Sequence, residues 1–237
     1  MSADMPRGGR AAAFFDVDGT LIDSTIVHYY RYFMSRRLSP ARYAAWYVWF
    51  HLKCAYYLVL DRIDRTRFNV AFYRNYGGLP AARIKSWAGD CFREVILPRF
   101  HAEAAARVAE HRDRGDTPVL VTGSIDFIMA PLASELGIQE VIAPSLLEKD
   151  GAFSGKLDGP PIGGEEKAVR MRRFAEQKGV DLLRSSAYGD SSADLPMLEA
   201  VGFPHAVNPD GKLAAVAASR GWPILRWSRG VGPAEGC

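Results

Sequence analysis

A chain of 237 residues, 48% of them hydrophobic and 24% charged, buries a core of ordinary domain size, which excludes a disordered tail. Three cysteines, Cys54, Cys91 and Cys237, are odd in number and far apart, which excludes a disulfide framework and a CxxC metal site and makes a reducing cytoplasm the expected compartment. The net charge of +3 is small, but it is unevenly distributed along the chain.

The opening stretch "MSADMPRGGR" is polar and glycine-rich without an apolar core, so no secretory signal is expected. Cys237 is the last residue, whereas a prenylation box has its cysteine four from the end. The first strand is expected at Ala11–Val17, and "FFDVDGTLID" places Asp16 and Asp18 at its end, followed by Gly19 and Thr20. Two carboxylates this close repel and raise each other's pKa, so a cation or a shared proton has to compensate.

From Ser24 to Leu97 the chain changes character. Twelve Lys and Arg face four Asp and Glu there, and the segment holds seventeen of the twenty-seven aromatic residues. It contains no strand-like run; Pro40–Ile63 and Leu79–Ile96 read as helices. A helical insertion directly after the first strand would lie as a lid over that strand's carboxyl end. Such a surplus of positive charge points to an anionic partner.

Beyond this segment, apolar strands alternate with amphipathic helices. Strands are expected at Thr117–Gly123, Glu140–Pro144, Ser185–Asp190, Pro204–Asn208 and Trp222–Trp227. The helices "HAEAAARVAEHRDRG", "DFIMAPLASELG", "EEKAVRMRRFAEQKG" and "GKLAAVAASRG" each close on a glycine. This alternation predicts a parallel sheet covered on both faces, with ligands at the carboxyl ends of its strands. Asp16 and Asp18, Thr122 and Gly123, Lys167, and Asp190 would then meet at one rim.

The ordered set DVDGT, VTGS, a lysine and GDSSAD resembles the four motifs of the haloacid dehalogenase-like (HAD) phosphohydrolase superfamily, and the helical insertion resembles the cap of its phosphoserine-phosphatase-like subgroup. The resemblance implies an α/β fold: a Rossmann-like three-layer core with a parallel sheet, plus a small all-helical cap inserted after the first strand. Residues 1–23 and 98–237 would form the core and 24–97 the cap. It implies a phosphatase in which Asp16 is the nucleophile and forms an aspartyl phosphate, while Asp18 protonates the leaving oxygen and then activates water. Thr122, Gly123 and Lys167 would bind phosphate. Asp16, Asp190 and the backbone carbonyl of Asp18 would hold Mg²⁺, with Asp194 supporting the metal's surroundings.

Two positions depart from the family pattern. The glutamate that phosphoserine phosphatases carry nine residues after the nucleophile is Thr25 here, and Ala193 replaces the asparagine of GDGxND. Phosphoserine is therefore a less favoured substrate than a small or lipid-like phosphate ester. A phosphotransferase or mutase would use the same intermediate, whereas a dehalogenase would not need Asp18. No nucleic-acid partner is expected. His28, His51, His101, His111 and His205 show no zinc-like spacing.

The run Ala44–Leu60, with Trp46, Tyr47, Trp49, Tyr56 and Tyr57, is too short to span a bilayer and is interrupted by His51 and Lys53. Its rings either fill the cap's own core or meet an anionic lipid surface.

Overall fold

The computed structural model describes residues 9–63 and 65–228. The expectations for residues 1–8 and for Cys237 lie outside them. The sheet grows from β1 (Ala12–Phe15), whose four residues are all buried, as a strand covered on both faces requires. β1 pairs in parallel with β2 (Thr117–Val121), which pairs with β3 (Glu140–Ile142). On its other side β1 pairs in parallel with β6 (Ser186–Gly189), followed by β7 (Phe203–Val207) and β8 (Ile224–Leu225). The order β3-β2-β1-β6-β7-β8 contains all six strands expected from the sequence.

Alternation along β1 separates two cores. Phe14 packs with Met171 and Phe174 of α8 (Glu165–Lys178), and with Leu213 and Ala217 of α10 (Gly211–Arg220). Phe15 points the other way, into a core with Val108 of α6 (Ala102–Asp113) and Leu132 of α7 (Asp126–Glu135). The result is a three-layer α/β sandwich. α8 and α10 each end on a glycine in the left-handed conformation, Gly179 and Gly221. α9 (Leu195–Glu199) follows the loop after β6.

A helical cap stands between β1 and α6. It comprises α1 (Ile26–Arg37), α2 (Pro40–Ile63), α3 (Arg65–Tyr73), α4 (Ala81–Ser86) and α5 (Ala88–Cys91), the last continuing into a wider turn at Phe92–Ile96. The chain leaves and rejoins the core side by side, since the Asp23 amide donates to the Arg99 carbonyl at 2.8 Å and the His101 amide to the Leu21 carbonyl at 3.0 Å. The single helix expected over Leu79–Ile96 is divided: the chain bends at Trp87, and both Ile84 before the bend and Cys91 after it reach the interior.

An element absent from the sequence reading is an antiparallel hairpin, β4 (Leu146–Lys149) and β5 (Ala152–Leu157), closed by Asp150-Gly151 with both residues at positive φ. β5 reaches the cap. Phe153 accepts from the Gly78 amide at 2.8 Å and donates to the Leu79 carbonyl at 2.9 Å.

The aromatic run divides between an inward and an outward face, and its inward rings fill the cap's own core. Trp46 stacks on the fully buried Phe50 at 4.6 Å, and Tyr57 is buried against Phe68 and Phe72. Trp49 (55% exposed) and Leu52 (75% exposed) instead face outward. Among the described residues no helix is long and apolar enough to cross a membrane.

Candidate active site

Three strands deliver their chemistry to one edge: Asp16 and Asp18 follow β1, Thr122 to Ser124 follow β2, and Asp190 follows β6. α8 brings Lys167 to the same place from its first turn. The Lys167 ammonium donates to Asp16 Oδ1 at 2.5 Å and to Asp194 Oδ1 at 2.6 Å, with all three side chains buried. The Thr20 hydroxyl bridges Asp16 Oδ2 at 3.1 Å and Asp190 Oδ1 at 3.2 Å. Gly19, at φ +97°, lies against the Asp190 carboxylate so closely that an added Cβ would sit 2.3 Å from its Oδ2, which explains why Gly follows the paired aspartates.

Carboxylate oxygens of Asp16, Asp190 and Asp194 lie within 4.8 Å of one another. Three carboxylates face one ammonium, which bonds two of them, Asp16 and Asp194, so that full ionisation would leave a formal excess of two negative charges. Burial raises Asp16 despite Lys167, and burial followed by Asp16 and Asp194 raises Asp190 well above the carboxylate range. Burial also opposes ionisation of Asp194, but Lys167 outweighs it and holds that carboxyl low. Burial disfavours the charged form of Lys167 as well, yet its two carboxylate partners keep it above the usual lysine range. This all-oxygen cluster with surplus negative charge suits a hard divalent cation. Asp194, expected only in support, belongs to the cluster itself.

The Asp18 carboxylate points elsewhere. Its Oδ1 accepts from Tyr29 Oη and its Oδ2 from Ser124 Oγ, both at 2.5 Å, and burial pushes the group up to about 6. The Ser124 amide donates to Thr122 Oγ1 at 2.9 Å, which leaves the Thr122 proton for a different acceptor. Tyr73 of α3 donates to the Gly123 carbonyl at 2.7 Å. An added Cβ on Gly123 would meet Asn69 Nδ2 at 2.6 Å and the Ile162 carbonyl at 2.9 Å, so only glycine fits between loop and cap.

A cavity of about 300 Å³ opens over these groups. Asp16, Lys167 and Asp190 form its polar end, while Ile26, Val27, Tyr57, Leu58 and Phe68 give the cap side an apolar wall. Thr25 and Ala193, the two departures from the family pattern, both line it. So does Arg65, whose charge opposes in small part the rise that burial causes in Asp16, Asp18 and Asp190. Tyr29, Arg65, Asn69 and Tyr73 were not singled out from sequence because helical periodicity does not reveal which cap residues face the core; Ser124 stood beside the recognised Thr122-Gly123. His101 and His111 serve structure, bonding the Thr20 carbonyl at 2.9 Å and bridging Asp116 to Tyr188.

A model of the haloacid dehalogenase-like hydrolase family matches residues 13–199. A probable phosphatase of Mycobacterium tuberculosis is 35% identical over 95% of this chain and 78% of its own length. A phosphoserine phosphatase of the same organism is 31% identical over 90% of this chain and 70% of its own. Among solved structures, a Bordetella pertussis protein of unknown function superposes with a TM-score of 0.78 at 27% identity, covering 92% of this chain and 99% of that one. A phosphoserine phosphatase captured with an analogue of its phospho-aspartyl intermediate shares the fold at a TM-score of 0.69 and 17% identity, over 94% of this chain and 95% of that one.

Proposed function

Because this chain belongs to the haloacid dehalogenase-like hydrolase family, within its phosphoserine-phosphatase-like subgroup, and is a phosphatase, we propose that it cleaves phosphate monoesters through an aspartyl phosphate on Asp16. The observation that carries this reading is the division of labour between the two aspartates: Asp16 lies in the cation-seeking cluster, and Asp18 is held apart from it with a carboxyl raised to about 6. An Asp16 oxygen attacks phosphorus as the bond to the leaving oxygen breaks, and Asp18 gives that oxygen its proton. Water then attacks the aspartyl phosphate while Asp18 takes a proton from it, which releases inorganic phosphate and restores Asp16. Thr122, the Gly123 amide and Lys167 bind and neutralise the phosphoryl oxygens. On this reading residues 1–23 and 98–237 are the catalytic core and 24–97 the substrate-selecting cap.

Asp16, Asp190 and the Asp18 carbonyl would hold Mg²⁺, with Asp194 beside them. Bound there, the ion supplies positive charge that offsets repulsion between the carboxylates and the phosphate. Phosphate release is expected to stop in EDTA and return with Mg²⁺, while Ca²⁺, with its larger and looser coordination, supports it poorly. Asp190→Ala should raise the Mg²⁺ concentration required; an unchanged requirement would move the ligand elsewhere.

Thr25 and the apolar cap wall support a substrate whose leaving group is bulky and apolar, and Arg65 supports one without a cationic group. Phosphoserine, the substrate in one relative's name, is the alternative, as is transfer of the phosphoryl group to a second alcohol. A panel of phosphate esters with Mg²⁺, including lipid phosphates, tests this preference; release from sugar phosphates alone would remove it.

The outer face of α2 favours a second reading, in which the cap rests on anionic lipid. Val48, Trp49, Leu52 and Tyr56 are exposed there, Arg37 and Arg42 are exposed near its start, and no acidic residue occurs between Asp23 and Asp61. The protein should then sediment with anionic vesicles and be largely released by salt, since exposed charges are screened beyond about 10 Å at 0.1 M. Trp49→Ala with Leu52→Ala should remove the salt-resistant remainder. No sedimentation at low salt would end this reading.

A further inference from the structure

We propose that Tyr29 and Ser124 are positioning residues that aim Asp18 for both of its proton transfers, one acting from the cap and one from the sheet. The inference rests on the aspartyl-phosphate reading and adds to it how the acid is held. Asp18 lies two residues beyond Asp16, just past the end of β1, yet its carboxylate is not one of the three clustered at Asp16, Asp190 and Asp194. Its two oxygens are instead taken by separate donors, Tyr29 Oη and Ser124 Oγ, each at 2.5 Å. Two donors on opposite oxygens fix the carboxylate plane as well as its direction.

Both donors are themselves immobilised. Tyr29 is fully buried on α1, and Ser124 is buried in the loop after β2, where its amide is tied to Thr122 Oγ1. The adjoining Gly123 carbonyl is tied in turn to Tyr73 of α3. The acid is therefore clamped between cap and phosphate loop, and its aim depends on both being in place. A hydroxyl donates or accepts with a rotation of its proton, so the pair can serve Asp18 in either protonation state. When Asp18 is ionised both hydroxyls donate to it. When it carries the proton, one of them turns to make room, and that proton passes to the leaving oxygen as the P–O bond breaks. In the second half-reaction the proton returns to Asp18 from water as the Asp16–phosphorus bond is cleaved.

Tyr29→Phe and Ser124→Ala each delete one hydroxyl and little volume. The test compares the first turnover of the Mg²⁺-loaded full-length protein on p-nitrophenyl phosphate, whose phenolate departs without a proton, and on a simple alkyl phosphate, whose alkoxide needs one. Rapid-quench measurement follows both product release and the phosphoenzyme. Each variant is expected to lose about tenfold in the first turnover of the alkyl ester, the size of one hydrogen bond to a charged group. It should lose much less in the p-nitrophenol burst and then accumulate phosphoenzyme, because Asp18 is also misaimed for hydrolysis. Asp18→Asn should show the same pattern more strongly. Parallel loss on both esters, or no loss on either, would overturn the assignment. Failure of the wild type to form any phosphoenzyme would instead strike the underlying reading.

Discussion

Asp16→Asn is expected to lower phosphate release by about 10⁴-fold or more, the scale on which removal of a nucleophile acts, while leaving the metal-free protein at least as stable as the wild type. The two halves of this expectation have one cause. The amide is nearly isosteric and its oxygen can still accept from Lys167, as Asp16 Oδ1 does at 2.5 Å, so packing is retained. It also removes one of the three carboxylate charges crowded within 4.8 Å, a repulsion that burial makes costly. Steady-state phosphate release and a melting curve in EDTA check both halves. BeF₃⁻, which imitates an aspartyl phosphate when bound to a carboxylate, should form a Mg²⁺-dependent complex with the wild type and none with the variant. Persistent turnover in the variant would refute Asp16 as nucleophile.

Lys167→Met is expected to act in the opposite sense on stability. Lys167 bonds Asp16, which is 5% exposed, and Asp194, which is 1% exposed. Taking one partner from a buried ionic group leaves uncompensated charge and costs about 3–5 kcal/mol. Urea unfolding in EDTA at neutral pH should show this loss, and Mg²⁺ should restore part of it by supplying the missing positive charge. Activity should fall by about 10²–10³-fold even when Mg²⁺ saturates, because in the proposed mechanism the ammonium also meets developing phosphoryl charge. An unchanged urea midpoint would show that the site's carboxylates are held by something else.

The sheet was legible because its central strands β1, β2 and β6 are largely buried, and all six read as short apolar runs between glycine-closed helices. The hairpin was not, although its Asp150-Gly151 turn is a recognised signal, because the flanking Leu146–Lys149 is mostly exposed and its apolar pattern is weak. In the cap, a long helix over Pro40–Ile63 was evident, but aromatic residues occupy nearly every face of it, so periodicity could not tell the inward Trp46 from the outward Trp49. The paired aspartates announced the site. The donors to Asp18 did not announce themselves: Ser124 stands 106 residues away from it, and Tyr29 is one of several tyrosines on an aromatic helix. Such contacts are properties of the assembled fold.

The hairpin also bears on what can be exchanged between members of this family. A graft that joined a foreign cap at the adjacent crossings by Asp23 and Arg99 would meet the core's spacing without difficulty. It would still strand the Phe153 amide and carbonyl, and the Gly151 carbonyl that accepts from Ala81, unless it brought its own extended segment to the edge of β5. The transplantable unit is therefore discontinuous, the cap together with the hairpin that lies far downstream in the chain, and a change of specificity by recombination has to carry both pieces at once.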